Sequence, residues 1–302
     1  MSIPFKKLEI GDRAEICAYV RQYPPYSDFN FTNLWAWYDV GDSTRYCFLN
    51  GNLVIEFVGL NQEYHFYSFL GNNRIVDTIH TLLDASIQAG IQPVLELVPE
   101  VCLTNVTEDP HRWFDIQEDR DMFDYVYSLQ DAVELEGPQN SSKRRAYRKF
   151  LRDYGEYNAA ELDLRQRATR DQVLSLLDIW YQQKGGNEID AGHEHLALTR
   201  LLSHAEFFDL SATGVYFEDQ LLGFFVSEIV GHEHVMGHFK KGDYRYTGIF
   251  EVLEIENAKH LLEAGCKDLN EQQDLGLEGL RRSKLGRNPV QFLKKYKVMA
   301  RQ

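Results

Sequence analysis

Apolar and polar positions along this chain follow two periods, and the two recur in the same order twice. In the first half, Arg45-Tyr-Cys-Phe-Leu reads as a strand, Asn50-Gly51-Asn52 as a tight turn and Leu53 to Val58 as a second strand. Tyr64 to Leu70 alternates as a third strand. From Ile75 to Ala89 the apolar residues Ile75, Ile79, Leu82, Leu83 and Ile87 fall on one helical face. Gly90 closes that helix, and Pro93 to Val98 is an apolar strand. The second half repeats the series. Gly214 to Phe217, Leu221 to Ile229 and Glu233 to Phe239 are strands, Ile249 to Ala264 is a helix closed by Gly265, and Cys266 to Asn270 is the last strand.

The second copy differs from the first in carrying extra residues, KKGDYRYTG, between its third strand and its helix. Helices precede each copy, at Arg13 to Gln22 in the first and at Arg170 to Lys184 and His195 to Ser203 in the second. Two α/β domains of common ancestry are expected, residues 1–125 and 126–302. The aromatic run Phe29 to Tyr38 repeats near a 3.6 period through Phe31, Leu34, Trp35 and Tyr38, which predicts packing rather than stacking on a ligand.

Composition narrows the class. The chain has 302 residues, 44% apolar and 13% aromatic, enough for packed cores and too apolar for a disordered chain. No apolar run approaches the roughly 18 residues of a membrane span; the longest, Leu221 to Val230, is broken by Ser227 and Glu228. MSIPFKKLEIGD lacks the apolar stretch of a secretory leader. Cys17, Cys47, Cys102 and Cys266 lie too far apart for a C-x-x-C site, so a cytoplasmic protein without a disulfide framework is expected.

Charge changes the picture through its placement. The net charge is −14, yet Lys143 to Arg152 (KRRAYRKFLR) holds six basic residues and no acid, and 281–302 holds eight more with no acid. Two basic islands in an acidic body predict a confined site for anions. Lys143, Arg144, Arg145, Arg148 and Lys149 are the candidate contacts for a nucleic acid backbone such as tRNA.

Arg245-Tyr-Thr-Gly248-Ile-Phe250 lies between a strand and the start of a helix. Free N–H groups and the positive end of the helix dipole favour an anion there, and glycine lets the backbone approach closely. The spacing resembles R-x-x-G-x-G/A, the pyrophosphate motif of the GCN5-related N-acetyltransferase (GNAT) superfamily, with Phe250 in place of the final small residue. The first copy offers only Gly71-Asn-Asn-Arg74 at this point, which marks it as degenerate. Downstream, Asn270, Glu271 and Asp274 follow a strand end, where open α/β sheets present ligand-binding groups. Arg281 and Lys284 lie one helical turn apart and, with Arg282 and Arg287, predict a cationic surface able to hold phosphate.

Gly279-Leu-Arg-Arg-Ser-Lys284 with Asn288-Pro289, Asp124-Tyr-Val-Tyr-Ser-Leu-Gln and KRRAYRKF together resemble the lysylphosphatidylglycerol-synthase C-terminal-like family, over both halves of the chain. The resemblance implies two tandem GNAT-like domains, each a mixed, mostly antiparallel sheet flanked by helices. It also implies acyl or aminoacyl transfer from acyl-CoA or aminoacyl-tRNA, as a substrate rather than a resident cofactor, to a small-molecule or aminoacyl acceptor carrying an amine. The donor is then expected on Arg245, Gly248, Arg281, Arg282 and Lys284. Proton transfer falls to Glu271, Asp274, His238 or Tyr246, which spacing does not rank. A non-catalytic protein that binds a small molecule or an RNA end on the same fold is the alternative. His232-Glu-His234 with His238 looks like a metal fragment but has no fixed fourth ligand, and no metal is expected.

Overall fold

The structure, a computed structural model, describes residues 3–38, 44–59, 64–104, 109–185, 188–231 and 233–301. The chain divides into two compact units. Unit 1 comprises Met1–Tyr125 with Gln272–Leu285 and Gln291–Gln302; unit 2 comprises Val126–Glu271 with Gly286–Val290. The span 126–302 is therefore not a single domain.

Unit 1 is built on β1 (Lys6–Lys7), β2 (Arg45–Leu49), β3 (Asn52–Val58), β4 (His65–Leu70), β5 (Val94–Pro99) and β6 (Phe114–Glu118). Antiparallel pairing joins β1 to β4, and β5 runs parallel to β4. The crossover between β4 and β5 is the helix α3 (Ile75–Gln88), whose Ile75, Ile79, Leu82 and Leu83 are buried as the period required, while Ile87 in its last turn is exposed. Helices α1 (Arg13–Val20) and the short α2 (Phe31–Asn33) precede the sheet, and α4 (Glu100–Leu103) follows β5. Phe29, Phe31, Leu34 and Trp35 are buried, so the aromatic run packs into unit 1.

Unit 2 begins in β7 (Asp124–Ser128), whose last three residues it contains, and continues through β8 (Asn158–Glu161), β9 (Leu210–Phe217), β10 (Gln220–Ile229), β11 (His234–Gly242) and β12 (Asp268–Asn270). Helices α5 (Leu129–Glu134), α6 (Ser141–Asp153), α7 (Arg167–Lys184) and α8 (Glu188–Ser203) surround them, and α9 (Ile249–Glu263) is the crossover from β11 to parallel β12. Its Ile249, Val252, Leu253, Ala258 and Leu261 pack on Phe225, Val235 and Leu269. Helix α10 (Glu278–Leu285) and β13 (Gln291–Leu293) lead to the last strand, β14 (Lys295–Ala300).

The repeat read from the sequence is real: meander, crossover helix and parallel strand occur in both units. Each sheet is mixed and flanked by helices. The sequence pattern did not disclose how each sheet is completed. β14, at the end of the chain, pairs antiparallel with β5 and with β6. The position corresponding to β14 in unit 2, beside β12, is taken by β7, which precedes every other strand of that unit. The first sheet is thus completed by a strand that follows the second copy, and the second sheet by one that lies between the two copies. β11 is also longer than expected, reaching Gly242, so Lys240 and Lys241 belong to a strand. None of the described helices is long and apolar enough to cross a membrane.

Candidate functional site

The parallel pair β11–β12 ends at Met236 opposite Asn270, and a crevice at the carboxyl ends of parallel strands is where α/β sheets bind ligands. Glu271 leaves β12 at this point. A side chain at Gly237 would press on the Phe225 ring at 3.1 Å and on the Glu271 Cγ at 3.3 Å, so the glycine leaves room for both. Lys240, three residues further along β11, reaches Glu271 at 3.0 Å and Glu254 of α9 at 2.6 Å. Arg287 meets the same two acids: its Nε lies 2.9 Å from Glu254, and both terminal nitrogens donate to Glu271. Its guanidinium stacks over the Tyr127 ring at 4.2 Å. Two cations and two carboxylates thus close a compact box within unit 2. Burial pushes the Glu254 carboxyl up, but Arg287 and Lys240 outweigh it and hold the group below the usual carboxylate range.

Beside the box lies a cavity of about 340 Å³, walled by α5, the loop to α6, the first turns of α6 and α9, and Arg287-Asn288. Glu251, Glu254, Lys143 and Arg287 line it. Burial raises the pKa of Glu251 and lowers that of Lys143. Of the residues singled out from sequence, Glu271 and Arg287 are in the box and Lys143 lines the cavity. Lys240 and Glu254 were missed because a polar pair in a buried strand and helix has no local signature until the two are side by side.

Arg245 and Gly248 are placed differently from a phosphate cradle. Arg245 forks onto the fully buried Asp243, at 2.9 Å from Nε and 2.5 Å from Nη2, and Asp243 also accepts from Gln183 at 2.8 Å. Gly248 caps α9 with φ +93°, and a Cβ there would collide with the Ala146 carbonyl oxygen of α6 and come within 3.0 Å of Phe150 Cβ. The close approach that requires glycine is made by α6. A carbonyl oxygen in that place repels phosphate, so the residues present do not fit a pyrophosphate. Tyr246 packs against the unit 2 core, its ring 5.1 Å from Tyr154. Gly248→Ala is expected to cost at least about 2 kcal/mol, from the left-handed φ and the collision, as checked by chemical denaturation.

His238 is buried, with Nε2 3.5 Å from Glu228. His232 lies outside the described residues, so the histidine fragment is not described as a whole.

Asp274, Arg281, Arg282 and Lys284 belong to unit 1. Burial pushes Asp274 upward, but hydrogen bonds from Arg281, the Tyr125 hydroxyl and the Gly276 N–H bring it down to about 2. A carboxylate of that pKa is a weak base and a firm anchor. Arg281 reaches Asp274 at 2.7 Å and Asp121 at 2.5 Å. Arg282 points outward to Glu278, and Lys284 is buried with its ammonium 5.6 Å from the Tyr125 ring centre. These cations do not form one phosphate-binding surface. Among the described residues at least six of the eight in 281–302 face carboxylates: Arg281, Arg282, Arg287, Lys294 with Glu118, Lys295 with Asp124, and Lys297 with Glu96.

The other basic island keeps free charge. On α6, Arg144 donates to the carbonyls of Leu135 and Gly137, and Lys149 pairs with Asp153. Arg145 and Arg148 are exposed, one turn apart, with no ion pair among the described residues.

The family model for the C-terminal region of phosphatidylglycerol lysyltransferase matches residues 20–299. This chain belongs to that family. Its fold is shared with a conserved protein of unknown function from Bacteroides thetaiotaomicron, at 24% identity and TM-score 0.86 over 99% of this chain and 100% of that one. A C-terminal domain (DUF2156) assigned to a lysylphosphatidylglycerol synthetase from Agrobacterium fabrum superposes with TM-score 0.66 at 13% identity, over 97% and 93% of the two chains. A tandem GNAT protein from the clavulanic acid biosynthesis pathway gives TM-score 0.49 at 10% identity, over 97% of each chain. No curated protein matches the sequence. Family and fold place this chain with proteins built on the C-terminal region of phosphatidylglycerol lysyltransferase, two mixed sheets flanked by helices.

Proposed function

We propose that this family member transfers an aminoacyl group from aminoacyl-tRNA to an amine, using the cavity of unit 2. The observation that carries the reading is the box of Lys240, Glu254, Glu271 and Arg287 at the ends of the parallel strands, opening on a cavity that also holds Glu251. An aminoacyl ester is favoured over acyl-CoA because Asp243 occupies Arg245 and the Ala146 carbonyl fills the space before Gly248. Arg145 and Arg148 offer the phosphate contacts that a tRNA end requires.

In the reaction, the amine nitrogen attacks the acyl carbon, and the bond from that carbon to the ribose oxygen breaks. Glu251, with its raised pKa, takes the proton from the attacking amine and returns it to the departing ribose oxygen, which leaves as a hydroxyl. Lys240 and Arg287 supply positive charge where a tetrahedral oxyanion would form. Glu271, held by both cations, is the orienting carboxylate rather than the base.

The test is transfer by the full chain from tRNA carrying a radiolabelled amino acid, and from acetyl-CoA, to a panel of amines followed by mass spectrometry. Label should leave the tRNA, and Arg145→Glu with Arg148→Glu should weaken tRNA binding at least about tenfold at 100 mM salt and flatten its salt dependence. Transfer from acetyl-CoA alone would overturn the choice of donor. No transfer from either, with tRNA still bound, would favour the non-catalytic alternative.

A further inference from the structure

Two ions of opposite sign face the cavity of unit 2 without being paired. Lys143 stands on the first turn of α6 and Glu251 on the first turn of α9, and both line the same space of about 340 Å³. Neither makes an ion pair among the described residues. Every other strongly buried charge nearby is matched: Lys240 and Arg287 are shared between Glu254 and Glu271. Each lies in the other's field, and Glu254 also acts on Lys143, but burial outweighs that attraction and moves both pKa values toward the neutral form.

The lining also carries a hydrogen-bonded polar pair, Asn140 and Asn288. Asn140 is buried, donates to the Glu136 carbonyl at 2.8 Å and accepts from Asn288 at 3.1 Å. The volume suits a molecule at the small end of those held by ligand pockets, which start near ~300 Å³.

We infer that this cavity binds a small zwitterion, an amino acid whose carboxylate meets Lys143 and whose ammonium meets Glu251. A dipolar ligand neutralises both groups at once, which neither a diamine nor a simple anion does. An amino acid esterified to tRNA has lost its carboxylate charge, so this ligand is distinct from the donor's aminoacyl group. The inference rests on the transferase reading only in making the zwitterion the amine acceptor; binding itself stands alone.

The experiment is calorimetric titration of the full chain with alanine, alaninamide, N-acetylalanine and putrescine. Alanine should bind, while alaninamide, which lacks the carboxylate, and N-acetylalanine, which lacks the ammonium, should each bind at least about tenfold more weakly. Lys143→Met should remove the preference for alanine over alaninamide, and Glu251→Gln the preference for alanine over N-acetylalanine. These comparisons within one protein do not depend on a variant being as stable as the parent. Equal binding of all three alanine compounds, binding of putrescine alone, or no binding would overturn the inference. Alanine binding without transfer from any donor would retire the transferase reading and leave the zwitterion site standing. Transfer to amines that lack a carboxylate, with no alanine binding, would do the reverse.

Discussion

Lys295→Met is expected to cost about 3–5 kcal/mol of unfolding free energy, the range for removing one member of a buried ion cluster. Lys295 is fully buried in β14 and pairs with Asp28 and, at 2.7 Å, with Asp124; Ser27 and Gln273 complete the cluster. Methionine nearly preserves the volume, so the loss would be electrostatic: two buried carboxylates would face each other without their cation. Burial already pushes the Asp28 pKa up to about 6 although Lys295 opposes it. Without the lysine it should rise further, and the folded state would bind a proton that the unfolded chain, with its ordinary carboxylate pKa, does not. Stability of the variant should therefore increase as pH falls from 7 toward 5. Urea unfolding across that range measures both effects, and a deficit independent of pH would contradict the electrostatic account.

Arg287→Met should cost about 3 kcal/mol and alter the cavity wall. It leaves Lys240 as the cation that bridges Glu254 and Glu271 among the described residues, so the pair carries surplus negative charge that favours a proton or water. Adding Glu271→Gln to Arg287→Met should recover part of the loss, because it removes the surplus negative charge. A double-mutant cycle by urea denaturation gives the coupling. If the two losses simply add, the box is not an energetic unit.

The two meanders and both crossover helices could be read from periodicity because each buries one face locally. The register of β14 could not. Lys295, Tyr296 and Lys297 look like a solvated tail until Asp124, Glu118 and Glu96 are brought beside them by a fold that joins opposite ends of the chain. The same reason explains the basic stretch from Arg281 onward. Its segregation from the acids in sequence is complementarity in space, whereas on α6 Arg145 and Arg148 make no ion pair among the described residues. Of the site, Glu271 was visible at a strand end, whereas Glu254, Lys240 and Glu251 are ordinary charged residues until α9 crosses the sheet.

The exchanged strand also sets a timetable for biosynthesis. Residues 1–125 leave the ribosome with β5 and β6 lacking the strand that belongs between them. At ~5–20 residues per second, the chain from residue 125 to Lys295 takes roughly 10–35 s to make. During that interval two strand edges stand open, and open edges recruit other chains. The first half of this protein is synthesised early and completed only when β14 follows, so its yield in a cell should depend on whatever shields those edges until that strand emerges.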